Sequence, residues 1–501
     1  MEVIGNLLQG FEVALQPMNL LFCFVGVFVG TLIGVLPGIG PLGAIALLLP
    51  STFYIPPESA LILLAGIYYG AMYGGSTTSI LVNIPGEAAS VVTCIDGHQM
   101  AKQGRAGPAL GIAAFGSFIG GSITVFLLAL LAPPLARLAL TFGPPEYFSL
   151  MVLGLCILVY LANGPISKAL VMAALGIVLG IVGTDTISGR SRFTFGFFEL
   201  DDGIGVIPVV MGLFGVSEVL LNVEKKMERS IAAVKLKGLL PTRQDWKESL
   251  GPIFRGTFLG FFLGILPGGG AILSSFASYA MEKKLSPRPE AFGRGAIAGV
   301  AGPETANNAA TGGAFIPLLT IGIPTNAVMA LMLGALVIHG LQPGPLIMKE
   351  QPALFWGTIA SMYLGNGMLL VLNLPFIGLW VQILKVRYTL LFPYILLFCL
   401  IGVFGVNYSL LDTWLMLGFG VFGYLLRKLD YEMAPLVLAM ILGPLFENAL
   451  RQSLIIFNGN PLVFFTRPIS GAFLAGSLLL LLSNLLPWMR SRKKYLADND
   501  G

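Results

Sequence analysis

Apolar runs of about 18 residues or more recur from one end of this chain to the other, and few chains that carry them fold in water. In hydrocarbon every backbone N–H and C=O must find its partner inside the protein, so only helices and closed barrels cross. Few segments here alternate at period two, which argues against a barrel. Hydrophobic residues make up 56% of the 501 positions and charged residues 11%, against roughly a quarter charged in soluble domains. The sequence therefore predicts an all-α polytopic membrane protein with roughly 10–12 transmembrane helices. The N-terminus lacks a basic n-region and a clear cleavage site, so residues 18–36 read as a retained span. The net charge of +4 reflects loops, and nothing points to nucleic acid. Cys23, Cys94, Cys156 and Cys399 show no metal or redox spacing and read as small buried hydrophobes.

One apolar run contains a stretch that an uninterrupted helix does not tolerate. Residues 30–40 read GTLIGVLPGIG, and Pro37 removes a backbone donor while Gly38 adds freedom. The stretch returns at 260–270 as GFFLGILPGGG. At an offset of 230, Gly30, Gly34, Leu36, Pro37, Gly38 and Gly40 fall on Gly260, Gly264, Leu266, Pro267, Gly268 and Gly270. A second break, NIPGEA at 83–88, is echoed by GIPTNA at 322–327. Kinks for packing would explain one such break. Broken helices in corresponding places of two halves point to a transporter's binding site.

The expected organisation is an N-terminal membrane repeat over 1–223, a basic linker over 224–255, and a C-terminal repeat with additional spans over 256–501. The linker carries eight Lys/Arg and four Asp/Glu, which places it in the cytoplasm together with the tail RSRKK at 490–494. Residues 41–55 suit a half-helix, residues 60–82 a second apolar element, and residues 107–132 and 145–162 two spans joined by a turn at Pro133 and Pro134. A polar patch with Asp96, His98, Lys102 and Arg105 follows the second break. Loop charges predict inverted repeats. Residues 50–58 carry no Lys or Arg, whereas 283–294 carry four; Lys102 and Arg105 follow NIPGE, whereas only Lys349 follows GIPTN. The basic side has swapped.

Candidate substrate-binding residues lie beside the breaks: Ser76, Thr77, Thr78, Ser79, Asn83 and Gly86 in the first half, and Asn307, Asn308, Thr311, Thr325 and Asn326 in the second. Hydroxyls, amides and glycine N–H groups suit a carboxylate without a fixed charge; helix–helix hydrogen bonding is the structural alternative. Candidate cation-binding positions are the carbonyls around Pro37, Gly38 and Gly40 and around Pro267, Gly268 and Gly270, with Glu304. Glu87 is a further candidate, able to ligate a cation or carry a proton. His98 and His339 read as structural, and Glu447 with Arg451 as a pair at the end of a helix. Asp96, Asp201, Asp202, Asp245, Asp412 and Asp430 look like loop or span-end residues. That leaves no aspartyl pair within the spans, and no HExxH, GxSxG or P-loop is present. No catalytic residue is assigned.

These stretches resemble the large membrane subunit of the tripartite tricarboxylate transporters, the TctA family. The resemblance is carried by GVLPGIGPLGAIALLLP (34–50), YGGSTTSILVNIPGEAASVVTCIDGHQMAKQG (73–104) and GPETANNAATGGAFIPLLTIGIPTNAVMALMLGALVIHGLQPGP (302–345). ILGPLFENALRQSL (441–454) and RPIS (467–470) add to it. One departure is Thr325, where the other break has glycine. The resemblance implies uptake of organic carboxylate anions such as citrate, a secondary transporter in the bacterial inner membrane, and Na+ or H+ symport with no other cofactor. It also implies a small TctB-like membrane subunit and a periplasmic TctC-like solute-binding protein as partners. An organic-anion channel is the alternative, and a membrane-embedded enzyme the remaining class.

Overall fold

The computed structural model describes residues 2–36, 40–161, 165–224, 238–268, 270–384 and 388–483. Helix α1 (Glu2–Ala14) precedes α2 (Pro17–Val35), which stops at the first break. Beyond it α3 (Gly40–Thr52) restarts, and α4 (Pro57–Val82) runs to the second break. A 3-10 turn over 88–90 leads into α5 (Val91–Lys102), then α6 (Ala106–Ala139), α7 (Pro144–Leu161) and α8 (Ile166–Gly180). A short ribbon pairs β1 (Gly183–Thr184) with antiparallel β2 (Ser191–Arg192). Next come α9 (Val206–Val210), a π-helical stretch over 211–216, and α10 (Ser217–Glu224). The second series is α11 (Arg243–Ile265), α12 (Gly270–Leu285), α13 (Ala298–Thr320) and α14 (Ala327–Ile338). The chain continues through α15 (Ile347–Glu350), α16 (Pro352–Asn373), α17 (Ile377–Ile383), α18 (Tyr388–Asn407) and α19 (Leu410–Lys428). It ends in α20 (Ala434–Ile456), α21 (Val463–Thr466) and α22 (Pro468–Ser483). By length and composition α2, α6, α16, α19 and α20 are able to cross a membrane, with shorter apolar helices beside them. The protein is an all-α polytopic membrane protein.

Contacts divide the chain into two compact units, residues 1–140 with 205–425 and residues 141–204 with 426–501. In the first unit the repeat seen in the sequence governs packing. The broken helix α2 lies along α4, and its counterpart α11 lies along α13. A Cβ on Gly26, Gly30 or Gly34 would strike the backbone carbonyls of Leu63, Ile67 or Ala71. In the second copy Gly256, Gly260 and Gly264 meet Gly302, Ala306 and Ala310 in the same way. Small residues every fourth position let two helices approach to backbone contact where lipid offers no hydrophobic drive. The repeats also cross over, with α3 packed on α14 and α12 on the 88–90 turn.

Three local expectations are corrected. Pro133 and Pro134 do not form a turn, because α6 runs through both to Ala139. Their missing donors do not end a membrane helix whose buried face (Ala129, Ala132, Ala136) is held by packing. The chain turns instead ahead of the next proline pair, Pro144 and Pro145. The stretch 243–255 is not linker but the first half of α11, started by a capping box between Thr242 and Asp245. Residues 225–237 of that segment and the 490–494 tail lie outside the described residues. Asp96 and His98 are buried on α5 rather than in a loop.

In the second unit α20 packs against α7 and α8, and α22 against α7. Val159, Ala169, Ala173 and Ala439 form its core. Glu447 and Arg451 do pair, at 3.2 Å, but within α20 rather than at its end. Arg451 also reaches Asp185 at 2.7 Å, and Arg192 bridges Asp185 at 2.8 Å and Glu447 at 2.7 Å. The Ser188 hydroxyl first, then Arg451, holds the Asp185 carboxyl below the ordinary carboxylate range. A depressed folded value gives stability that is present above the unfolded Asp value and is lost as pH falls through the folded one. Asp185→Asn is expected to lower the melting temperature of the purified protein. The gap to wild type should stay constant down to about pH 5 and close only below about pH 4. Thermal unfolding across that range checks this, and a gap that closes near neutrality would assign the effect to another group.

Candidate functional site

The middle of α13 is buried along its whole length, and Glu304 on it is 1% exposed. Glu304 Oε2 accepts from the Ser76 hydroxyl of α4 at 2.5 Å, and Oε1 accepts from Thr93 of α5. One turn on, Asn307 donates from Nδ2 to Glu87 Oε1 at 3.3 Å. Glu87 itself caps the 88–90 turn, accepting from the Ala89 amide in a capping box closed by Ser90. Two buried carboxylates are thus held by hydroxyl and amide donors alone. Among the described residues, no Lys, Arg or His pairs with either. Burying two bare anions this way is costly, so the cluster calls for a proton or a bound cation.

The second breaks are built alike in both repeats. Asn83 and Gly322, 239 positions apart, both adopt left-handed backbone, at φ 58° and 80°, where Asn and Gly are the residues best tolerated. At the same offset Glu87 and Asn326 cap the elements that follow, Asn326 accepting from the Met329 amide at 3.0 Å. Their partners match too. Asn307 donates to Glu87, and Asn326 donates to the Tyr68 hydroxyl at 3.1 Å; Tyr68 and Asn307 are again 239 apart. The Thr325 departure has a physical reason. Gly86 must lack a Cβ because the Gly34 carbonyl and the Gly75 Cα press on it. Thr325 at the equivalent place meets the first break through its carbonyl, which accepts the Gly268 amide at 2.8 Å.

The structure places the remaining candidates as follows. Thr78 donates to the Val35 carbonyl at 2.8 Å, satisfying the broken end of α2. Thr77 and Ser79 are buried, and the Ser79 hydroxyl has no partner. Asn308 donates to the Ser117 hydroxyl at 2.7 Å and to the Glu304 carbonyl at 3.1 Å, and Thr311 donates to the Asn308 carbonyl at 2.6 Å. Asn83 is exposed and contributes its backbone turn. Gly40 and Gly270 start α3 and α12 with φ 64° and 46°. Pro267 and Gly268 lie in the turn that ends α11, while Pro37 and Gly38 are outside the described residues. His98 Nδ1 lies 3.1 Å from the Ile80 carbonyl, in a structural role.

Sequence reasoning missed Thr93, Ser117 and the role of Asp96. Ser90, Thr93 and Asp96 recur every third residue just past the second break, which is the signal of a polar helix face. Asp96 Oδ1 accepts the amides of Gly293, Gly295 and Ala296 at 2.8–2.9 Å, and Oδ2 accepts the Tyr279 hydroxyl at 2.9 Å. It therefore pins α5, and with it Thr93, to the loop ahead of α13.

The model of the tripartite tricarboxylate transporter TctA family matches residues 20–438 of this chain. The chain belongs to the TctA family. Among its relatives is an uncharacterized 52.8 kDa protein in the TAR-I ttuC' 3'region of Agrobacterium vitis, 52% identical over 501 residues and covering all of both chains. An uncharacterized protein in the TAR-II ttuC' 3'region of the same organism is 51% identical over 241 residues, which is 48% of this chain and all of that one. No solved structure matches. For this TctA-family protein, Asp96→Asn replaces a charged acceptor of three amides with a neutral one. It is expected to cost on the order of 2–3 kcal/mol of stability. Equilibrium unfolding in mixed micelles measures that loss, and wild-type stability in the variant would show that the loop holds without the carboxylate.

Proposed function

We propose that this protein is the large membrane subunit of a binding-protein-dependent secondary transporter for organic carboxylate anions, tricarboxylates such as citrate or related di- and monocarboxylates. Na+ or H+ symport drives it, by alternating access, in the bacterial inner membrane. A small TctB-like subunit and a periplasmic TctC-like binding protein are its partners, the latter delivering the anion to the outer face. The swapped loop charges support repeats of opposite orientation, an arrangement that lets one site be reached from either face.

The observation that carries this reading is the Glu87–Glu304 cluster, framed by two pairs of helix breaks in a TctA-family chain. An anionic substrate is repelled by these carboxylates while they are charged and is accepted once a proton or cation neutralises them. That sequence of events is symport in electrostatic terms. Neutral donors at the breaks, with the first amides of α3 and α12, suit the substrate carboxylates.

The test is uptake of a carboxylate panel by proteoliposomes containing the full three-component system, with Na+ and pH varied separately. Wild type is expected to show gradient-driven uptake and counterflow of labelled substrate. Glu304→Gln keeps the shape but removes the charge, and should lower gradient-driven uptake by about tenfold or more while counterflow persists. Wild-type gradient-driven uptake in that variant would remove Glu304 from the coupling site.

A further inference from the structure

A cavity of about 20 Å³ lies between α4, α6, α13 and α16, lined by Tyr69, Thr124, Asn308, Thr311 and Asn366 together with small and apolar residues. It has room for about one water-sized sphere. It also sits where the repeats meet. Tyr69 and Asn308 are 239 positions apart, the offset that relates the second breaks, so each repeat supplies one of them.

The threonine and asparagine hydrogens around this cavity are committed elsewhere. Thr124 donates to the Gly121 carbonyl at 2.9 Å and Thr311 to the Asn308 carbonyl at 2.6 Å. Asn366 Nδ2 donates to the Phe118 carbonyl at 2.9 Å and to Ser122 at 3.0 Å. The Glu304 carbonyl and Ser117 take both hydrogens of the Asn308 amide. Since only an NH2 edge can meet a carbonyl, Asn308 must turn Oδ1 the other way. Asn308 Oδ1 and Tyr69 Oη are buried, on side chains 2% and 5% exposed, and neither has a hydrogen-bond partner. The lining thus presents mainly lone pairs, and its one uncommitted hydrogen is that of the Tyr69 hydroxyl, which favours a cation over an anion. No His, Cys, Asp or Glu lines it, so its ligands are neutral oxygens, unsuited to transition metals and lacking the carboxylates that divalent cations favour.

We infer that this cavity is a binding site for one dehydrated Na+, held by neutral oxygens including those of Tyr69, Thr124, Asn308 and Thr311. The inference rests on the symport reading and gives it a second site, distinct from the carboxylate pair. Asn308 joins the two, because the amide that frees its oxygen for the ion holds the carbonyl of Glu304.

The experiment reads Na+ binding to the purified full-length protein in detergent, without substrate, from radiolabelled Na+ and from thermal stabilisation, with choline or K+ at equal ionic strength as controls. Wild type is expected to bind Na+ and to be stabilised by it over both controls. Tyr69→Phe and Thr124→Val each delete one oxygen and should weaken Na+ binding about tenfold, whereas Thr124→Ser restores the oxygen and should bind as wild type. No Na+-specific effect in wild type would mean that the cavity holds water only, which overturns the inference. Unchanged affinity in both deletion variants overturns it too, as does binding lost only in Glu304→Gln, which would move the ion to the carboxylates. Na+ binding that follows this pattern in a protein unable to take up carboxylates would fault the transport reading and leave the site standing. Na+-driven uptake with unchanged affinity in Thr124→Val would do the reverse.

Discussion

The contact on which the rest depends is glycine backbone against helix carbonyl, made once by α2 on α4 and again by α11 on α13. A helix broken inside a bilayer exposes groups that lipid cannot satisfy. Laying each broken helix on an unbroken one at backbone distance brings partners to those groups. Thr78 takes up the Val35 carbonyl in the first copy, and the Thr325 carbonyl takes the Gly268 amide in the second. Any side chain beyond hydrogen on the glycine stripe would separate the helices and leave the break ends unpaired. The same contact fixes the depth at which α4 presents Ser76 and α13 presents Glu304.

How much of this was legible depended on whether the partners lay in sequence patterns. The repeat was readable because backbone contact demands glycine at fixed spacing, and Gly30, Gly34, Gly260 and Gly264 carry it openly. The breaks were readable from Pro37 and Pro267. Reading prolines as punctuation failed at Pro133 and Pro134, where tertiary packing holds α6 together despite the missing donors. Counting charges hid the start of α11, although Thr242 and Asp245 have the spacing of a capping box. Asp96 was illegible for another reason. Three of its partners are backbone amides nearly two hundred residues away, and amides leave no mark in a sequence.

The site itself was legible in part. Ser76, Asn307 and Glu304 were singled out from composition beside the breaks, and the fold brings them into one cluster. Their grouping changed, since Ser76 and Asn307 are engaged by carboxylates and not left free as donors. Only the three-dimensional pairing distinguishes a hydroxyl offered to a ligand from one already occupied. Thr93 shows the converse: an unremarked residue becomes a partner of Glu304 because Asp96, one turn along the same helix, sets the position of α5.

The duplication explains why the centre is asymmetric in charge. Backbone geometry is shared at the second breaks, with Asn83 matched by Gly322 and the cap at Glu87 matched by the cap at Asn326. Chemistry is not shared. One cap is a carboxylate and the other an amide, and the position in α4 that corresponds to Glu304 at this offset is Ala65. Each repeat therefore contributes one carboxylate, from non-equivalent places, and the two converge on a single cluster. A fully symmetric pair of sites would bury four carboxylates where, among the described residues, no base pairs with the two present, at a cost that packing does not repay. The fold is thus duplicated while the carboxylates converge on one centre. The neutral oxygens of Tyr69 and Asn308, which do sit at equivalent positions, lie beside it without adding to that charge.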